Sequence, residues 1–180
     1  MITNLDLSIL DWIQRTLRCG VLDHIVPAIT FLGEAGWIWI LLAAVLLAQK
    51  KTRAWGIAVS AALLVDLLLC NVLLKPLVAR PRPYTFRPEL TLLVKAPRDF
   101  SFPSGHAAAS FAAASALLYS KCRGWIPATA LAAAIALSRL YLYVHYPSDV
   151  ICGAVLGILC GWIGAFLAKK AGDFSKKSEK

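Results

Sequence analysis

The chain has 180 residues, 59% of them hydrophobic and only 16% charged, with a formal net charge of +9 and a mean hydropathy of +0.67. A soluble core of this length cannot hide so much apolar surface, which excludes an ordinary water-soluble domain and predicts an all-α, polytopic transmembrane helical bundle. The positive balance would suggest nucleic acid in a soluble protein, but here it falls in short clusters beside apolar runs, so membrane lipid rather than nucleic acid is the expected partner.

Residues 5–18 place Leu5, Ile9, Trp12 and Ile13 toward one side and Asp11, Gln14, Arg15 and Arg18 mostly elsewhere, which predicts an amphipathic helix lying at the membrane interface. Met1-Ile-Thr-Asn-Leu-Asp lacks a basic stretch followed by an apolar core and cleavage site, so no signal peptide is expected. The run from Ile25 to Ala48 contains Pro27, Gly33, Glu34 and Gly36, so its first part is expected to be a separate short or re-entrant helix. After Lys50, Lys51 and Arg53 comes a span over Ala54–Leu74, expected to end at Lys75-Pro76 because a residue before proline is pushed out of helical geometry. Prolines 76, 81, 83, 88, 97 and 103 make 75–103 a loop. Spans follow over Ser104–Ser120, Trp125–Tyr143 and Ser148–Ala168, and then a basic tail with Lys169, Lys170, Lys176, Lys177 and Lys180. The total is about five to six membrane helices plus the interfacial one. No repeat or long linker divides residues 1–180, so one membrane-embedded unit is expected.

Alternation of spans puts Lys50, Lys51, Arg53, Lys121, Arg123 and the tail on one side of the membrane, which should be the cytoplasm. The loop 75–103 and the junction 139–149 then face outward. That loop is itself basic, with Lys75, Arg80, Arg82, Arg87, Lys95 and Arg98, and an anionic substrate is one reason for those charges. Cysteines 19, 70, 122, 152 and 160 form no CxxC pair and read as packing residues.

Three segments carry the chemistry. Lys75 and Arg82 bracket a proline-stiffened bend, so an ammonium and a planar guanidinium can approach one anion; alone, the segment reads equally as basic residues holding lipid headgroups. In Pro103-Ser104-Gly105-His106, Ser104 is a natural N-cap whose helix points free N–H groups outward. Gly105 permits close approach and His106 sits in the first turn. Taken alone, this could be a capped helix start with an incidental histidine. Arg139, near the end of a span, calls for an anion. Tyr141, Tyr143 and Tyr146 have the composition of an interfacial aromatic belt. His145 lies just outside the next helix with Asp149 four residues on, a spacing that lets the carboxylate fix one imidazole nitrogen and leave the other free to attack phosphorus, or that makes only a helix-start salt contact. Asp66 and Asn71 lie in the second span, and Asp66, nine residues from Lys75, is expected on the opposite helix face in an interhelical hydrogen bond. Glu34 either faces the site or satisfies a helix break, and His24 is a plain interfacial residue.

Together Lys-x6-Arg-Pro, Pro-Ser-Gly-His and Ser-Arg-x5-His-x3-Asp match, at every signature position between Lys75 and Asp149, the pattern of the type 2 phosphatidic acid phosphatase family, which this sequence resembles. The order of spans is similar to that of small bacterial members, without the additional first span that some of them carry. The resemblance implies a lipid phosphatase in the plasma membrane with an outward-facing site and no metal or other cofactor. His145 would form a phosphohistidine, Asp149 would orient it, and His106 would protonate the leaving group and then activate water. Lys75, Arg82, Arg139, Ser104 and the Gly105 amide would hold the phosphate oxygens. Undecaprenyl diphosphate is the first expectation for the substrate, and phosphatidic acid or phosphatidylglycerophosphate the second; oligomeric state stays open. The same signature occurs in soluble vanadium haloperoxidases, which membrane-length runs disfavour, and a non-catalytic lipid transporter would leave the histidines without a task.

Overall fold

A computed structural model describes residues 2–178, with side chains described for 3–172. Every regular element among the described residues is helical. The order is α1 (Ile2–Thr16), α2 (Gly20–Leu32), a 3-10 turn (Glu34–Gly36), α3 (Trp37–Ala48), α4 (Arg53–Asp66), a π-helical segment (Leu67–Leu74), α5 (Lys75–Val78), a second 3-10 turn (Pro83–Phe86), α6 (Gly105–Tyr119), α7 (Trp125–Tyr141) and α8 (Pro147–Ser178). Lys180 of the expected tail lies outside the described residues, as do the side chains of Lys176 and Lys177.

Two helical stretches, Arg53–Phe86 and Pro147–Gly172, are long and apolar enough to cross a bilayer, and the pair Gly20–Leu32 with Glu34–Ala48 meets the same test as a span bent by 41°. The bend matches the expected break in the first apolar run. Ala35 (φ 48°) and Gly36 (φ 70°) both take left-handed backbone there, which no continuous helix accepts.

Small residues let the central helices approach. A Cβ added at Gly157 would lie 2.3 Å from the Ala108 carbonyl oxygen, and one at Gly161 would lie 2.5 Å from Ser115 Cβ. α8 therefore packs its glycine face on the alanine-rich α6, where Ala107, Ala108, Ala112, Ala113 and Ala116 are fully buried. Without water to drive burial inside a membrane, such backbone proximity supplies the van der Waals contact that holds helices together. The large apolar side chains point the other way: Leu64, Leu67, Val72, Leu77, Ile151 and Trp162 are all more than half exposed, apart from Leu67 at 50%.

The turns after α3 and after α6 meet at one end of the bundle, where the Trp55 indole donates to the Ser120 carbonyl at 3.1 Å. The expected basic clusters thus share an end, and the signature segments gather at the other.

Four expectations change. The helix does not stop at Lys75-Pro76: the π-segment runs into α5, where Pro76 occupies the first turn and its missing N–H is harmless, and the helix ends at Ala79 in left-handed geometry (φ 48°). The π-segment also re-aims the polar residues. With about 4.4 residues per turn instead of 3.6, the nine positions from Asp66 to Lys75 make close to two whole turns, so Asp66 joins Asn71 and Lys75 on one cavity instead of facing the other way. Asp66 Oδ1 has no hydrogen-bond partner, against the expected interhelical bond. Third, Tyr141, Tyr143 and Tyr146 are buried rather than forming a belt, because their hydroxyls and rings find partners inside: Tyr141 donates to Asp23 (2.7 Å), Tyr143 donates to Asp11 (2.6 Å), and Tyr146 stacks under Arg80. They bind α1 and α2 to the end of α7. α1 buries Asp6, Leu10 and Ile13 and leaves Leu5, Ile9 and Trp12 exposed, so Ile13 faces the bundle and not the side expected.

Replacing Gly157 with Val should force α8 away from α6 and cost at least about 1–3 kcal/mol, seen as a lower midpoint for thermal unfolding in detergent. An unchanged midpoint would mean that the two backbones are not in tight contact.

Candidate active site

A cavity of about 1070 Å³ opens at the signature end of the bundle. Lys75, Arg82, Gly105, His106, Arg139 and His145 line its polar part. Phe31, Ile40, Leu64 and Leu67 line its other flank, and each is at least half exposed on the outer surface of the bundle. The cavity therefore runs from a cationic end to an apolar side opening between the α2–α3 elbow and the π-segment.

His145 stands in the short loop between α7 and α8, with only 1% of its surface exposed. Arg82 Nη1 lies 3.2 Å from its Nε2 and also donates to the Val144 carbonyl at 2.7 Å. An arginine can only donate, so Nε2 is the acceptor and Nδ1 carries the proton. That Nδ1 points at Asp149 Oδ2 across 3.5 Å, a distance that leaves room to tighten when the ring gains positive charge. Burial pushes the imidazole pKa down to about 3; Asp149 acts the other way, and Arg82 and Arg139 add to the depression. The ring is thus neutral at physiological pH, with a lone pair on the cavity side.

Asp149 is fully buried behind His145. Its Oδ2 accepts from the Ser101 hydroxyl (2.5 Å) and the Tyr146 amide (3.1 Å), and its Oδ1 accepts from Arg80 Nη1 (2.6 Å). His106 projects from the first turn of α6 into the same cavity as His145. Its Nε2 has no hydrogen-bond partner and lies 3.7 Å from Glu34 Oε2, so of the two readings of Glu34 the structure places it facing the site. A Cβ on Gly33 would come within 2.9 Å of the His106 ring, so the glycine at the elbow makes room for that imidazole.

Arg139 is 3% exposed, donates to Thr30 Oγ1 at 2.6 Å, and leaves its Nε without a partner. Gly105 faces Lys75: a Cβ there would lie 3.3 Å from Asn71 Oδ1 and 3.8 Å from Lys75 Nζ. Of the expected site residues, Asp149 stands behind His145 and Ser104 does not line the cavity either. Ser104 is wholly buried and accepts from the Ala107 amide at 3.5 Å as the cap of α6, while its own amide donates to the Asp149 carbonyl at 3.1 Å. It ties two signature segments together. His24 is exposed, its Nδ1 bonded to the Gly20 carbonyl.

Asp99 is the residue that sequence reasoning passed over. Its carboxylate bridges Lys75 Nζ and Arg82 Nη2 (2.6 Å to the arginine), while Arg82 Nε donates to its carbonyl at 2.8 Å. Burial alone would raise its pKa, but Lys75 and Arg82 more than offset this and hold it down at about 2. Two carboxylate oxygens thus stand where an oxyanion would meet those cations. The signal was an acid within a loop of cations. Of these cations, Arg80 and Arg87 pair with acids of α1, at 2.8 Å from Asp6 and from Asp11, whereas Lys95 and Arg98 line the cavity.

The model of the PAP2 superfamily matches residues 53–172, which contain all three signature segments. An undecaprenyl-diphosphatase of Sulfolobus acidocaldarius is 38% identical over 136 residues, covering 74% of this chain and 64% of that protein. A decaprenylphosphoryl-5-phosphoribose phosphatase of Mycobacterium tuberculosis is 38% identical over 128 residues, covering 71% of this chain and 69% of that one. Among solved structures, the transmembrane PAP2-type phosphatidylglycerolphosphate phosphatase from Bacillus subtilis superposes with a TM-score of 0.73 at 27% identity, covering 94% of this chain and 85% of that one.

Because the Asp99 carboxylate occupies the two cations, Asp99→Asn should tighten the binding of inorganic phosphate by about 2- to 5-fold, the worth of one partly exposed ion pair. The carboxylate stays ionised at any pH well above 2, so the gain should not vary across the neutral range. Calorimetric titration with orthophosphate measures it, and equal affinities would show that the carboxylate does not compete.

Proposed function

Because this chain belongs to the PAP2 superfamily, we propose that it is an integral-membrane phosphatase that removes a terminal phosphate from a lipid through a phosphohistidine on His145. One observation carries this reading. A neutral, buried His145 presents Nε2 to a cationic cavity with Asp149 behind its other nitrogen, and His106 enters the same cavity from another helix.

The lipid tail enters through the side opening between Phe31 and Ile40 on one flank and Leu64 and Leu67 on the other, which keeps it in hydrocarbon while the phosphate reaches the cations. Phosphate displaces Asp99 from Lys75 and Arg82, and Arg139 and the Gly105 amide complete its shell. His145 Nε2 attacks phosphorus as the bond to the leaving oxygen breaks, and protonated His106 gives that oxygen its proton. Positive charge grows on the His145 ring and draws its Nδ1–H toward Asp149. Neutral His106 then takes a proton from water, whose oxygen attacks phosphorus, and orthophosphate leaves with its electron pair restored to Nε2. Catalysis follows from differential binding. The cations gain most when charge spreads over the equatorial oxygens of the transition state.

For the substrate we infer undecaprenyl diphosphate, since Lys95 and Arg98 line the cavity beyond the first three cations and supply charge for a second phosphate. The basic turns at the far end of the bundle favour a cytoplasmic position there, which turns the cavity to the extracytoplasmic side. A phosphatidic acid or phosphatidylglycerophosphate substrate is the second reading. It is favoured by Asp66 and Asn71 on the cavity wall, polar groups suited to a headgroup hydroxyl or ester and of no use to an isoprenoid chain.

His145→Ala should abolish phosphate release, and His106→Ala should lower kcat about 10²- to 10⁴-fold, the usual worth of a general acid. Unchanged turnover in His145→Ala would overturn the mechanism. On a panel of purified lipids, undecaprenyl diphosphate should be turned over fastest, in the presence of a chelator as in its absence; a strong preference for phosphatidylglycerophosphate would replace the first substrate by the second.

A further inference from the structure

The signature segment between Lys75 and Pro83 carries two arginines, and they point in opposite directions. Ala79 turns the chain through left-handed backbone, after which Arg82 faces the cavity and Arg80 faces the back of the nucleophile. With His145 neutral, Arg80 is the only cation in an ion pair with Asp149 among the described residues. A wholly buried carboxylate without a counter-ion is costly, and one held by a single contact is free to rotate away from its imidazole.

Arg80 is itself held from every side. Its Nη2 donates to Asp6 Oδ2 at 2.8 Å, its Nη1 donates to Ser148 Oγ at 2.8 Å and to Asp149 Oδ1 at 2.6 Å, its guanidinium lies 3.7 Å from the Tyr146 ring centroid, and its carbonyl accepts from the Ser101 amide at 2.8 Å. Asp6 is buried in turn. It accepts from the Ser148 amide (3.1 Å) and the Ser148 hydroxyl (2.5 Å), so it also caps the first turn of α8, on which Asp149 sits. Asp6 belongs to α1, which precedes the segment matched by the family model.

We propose that Arg80 is a positioning residue for the nucleophile and that Asp6 of the N-terminal helix braces it, so that α1 is part of the catalytic apparatus. This rests on the reading of His145 as nucleophile. Asp6, Arg80 and Asp149 together carry one net negative charge, which sits behind His145 and is matched when the phosphorylated ring becomes cationic. Neutralising Asp6 or removing Arg80 disturbs that match without touching the phosphate cations.

The test uses the full chain in detergent, with Arg80→Met, Arg80→Lys, Asp6→Asn and His145→Ala beside the wild type. Arg80→Met and Asp6→Asn should lower kcat about 10- to 100-fold, the usual cost of losing a group that orients another. KM and the inhibition constant of inorganic phosphate should stay within about 2-fold, and Arg80→Lys should recover most of the loss. Full activity in Arg80→Met with His145→Ala inactive would overturn this inference alone; activity in His145→Ala would overturn the reading beneath it. Loss of phosphate inhibition together with kcat, or no recovery in Arg80→Lys, would make Arg80 a structural residue and contradict the proposal.

Discussion

A carboxylate buried completely inside a membrane fold is the constraint around which the rest of this structure is arranged. Asp149 has no exposed surface, and its two oxygens take up Arg80, Ser101 and the Tyr146 amide and face the Nδ1 edge of His145. Each of those partners fixes another segment. Ser101 anchors the long loop, Arg80 draws in α1 through Asp6, and the 142–146 turn is shaped so that its histidine meets the carboxylate. Leaving any of these groups unpaired in so dry a place would cost more than a surface contact returns. The demand for partners therefore specifies how four distant segments converge.

The second ordering principle is the division of the cavity. One end collects cations on rigid elements: Lys75 at the hand-over from π to α geometry, Arg139 near the end of α7, and Arg82 held by carbonyls. The other end opens sideways between exposed apolar residues. An amphiphile with an anionic head fits such a cavity in one orientation only. Asp99 bridges the cations, which keeps two like charges from facing each other unpaired.

Much of this was legible in the sequence, and the limits have physical causes. The apolar helices and basic turns were readable because length, hydropathy and charge are local quantities. The three signature segments each left a plainer reading open on their own residues and became readable as one site through the family pattern they match together. The π-segment was not: Leu67–Leu74 has no composition that sets it apart from an α-helix, and a wider turn there moved Asp66 onto the Lys75 face. The tyrosines misled because an aromatic belt and a buried aromatic cap have the same composition; only Asp11 and Asp23 across the fold decide between them. Asp6, Arg80 and Asp99 act through partners far away in sequence, and nothing local announces such a pairing.

The central claim is that phosphorus passes through His145 before it reaches water. The stereochemical course at phosphorus tests it without any mutation. A lipid substrate whose transferred phosphoryl group is made chiral with sulfur and oxygen isotopes would be hydrolysed in water carrying the remaining isotope. Two successive in-line displacements, on His145 and then by water, require net retention of configuration. Net inversion would mean that water attacks the lipid directly, and the covalent role of His145 would be wrong.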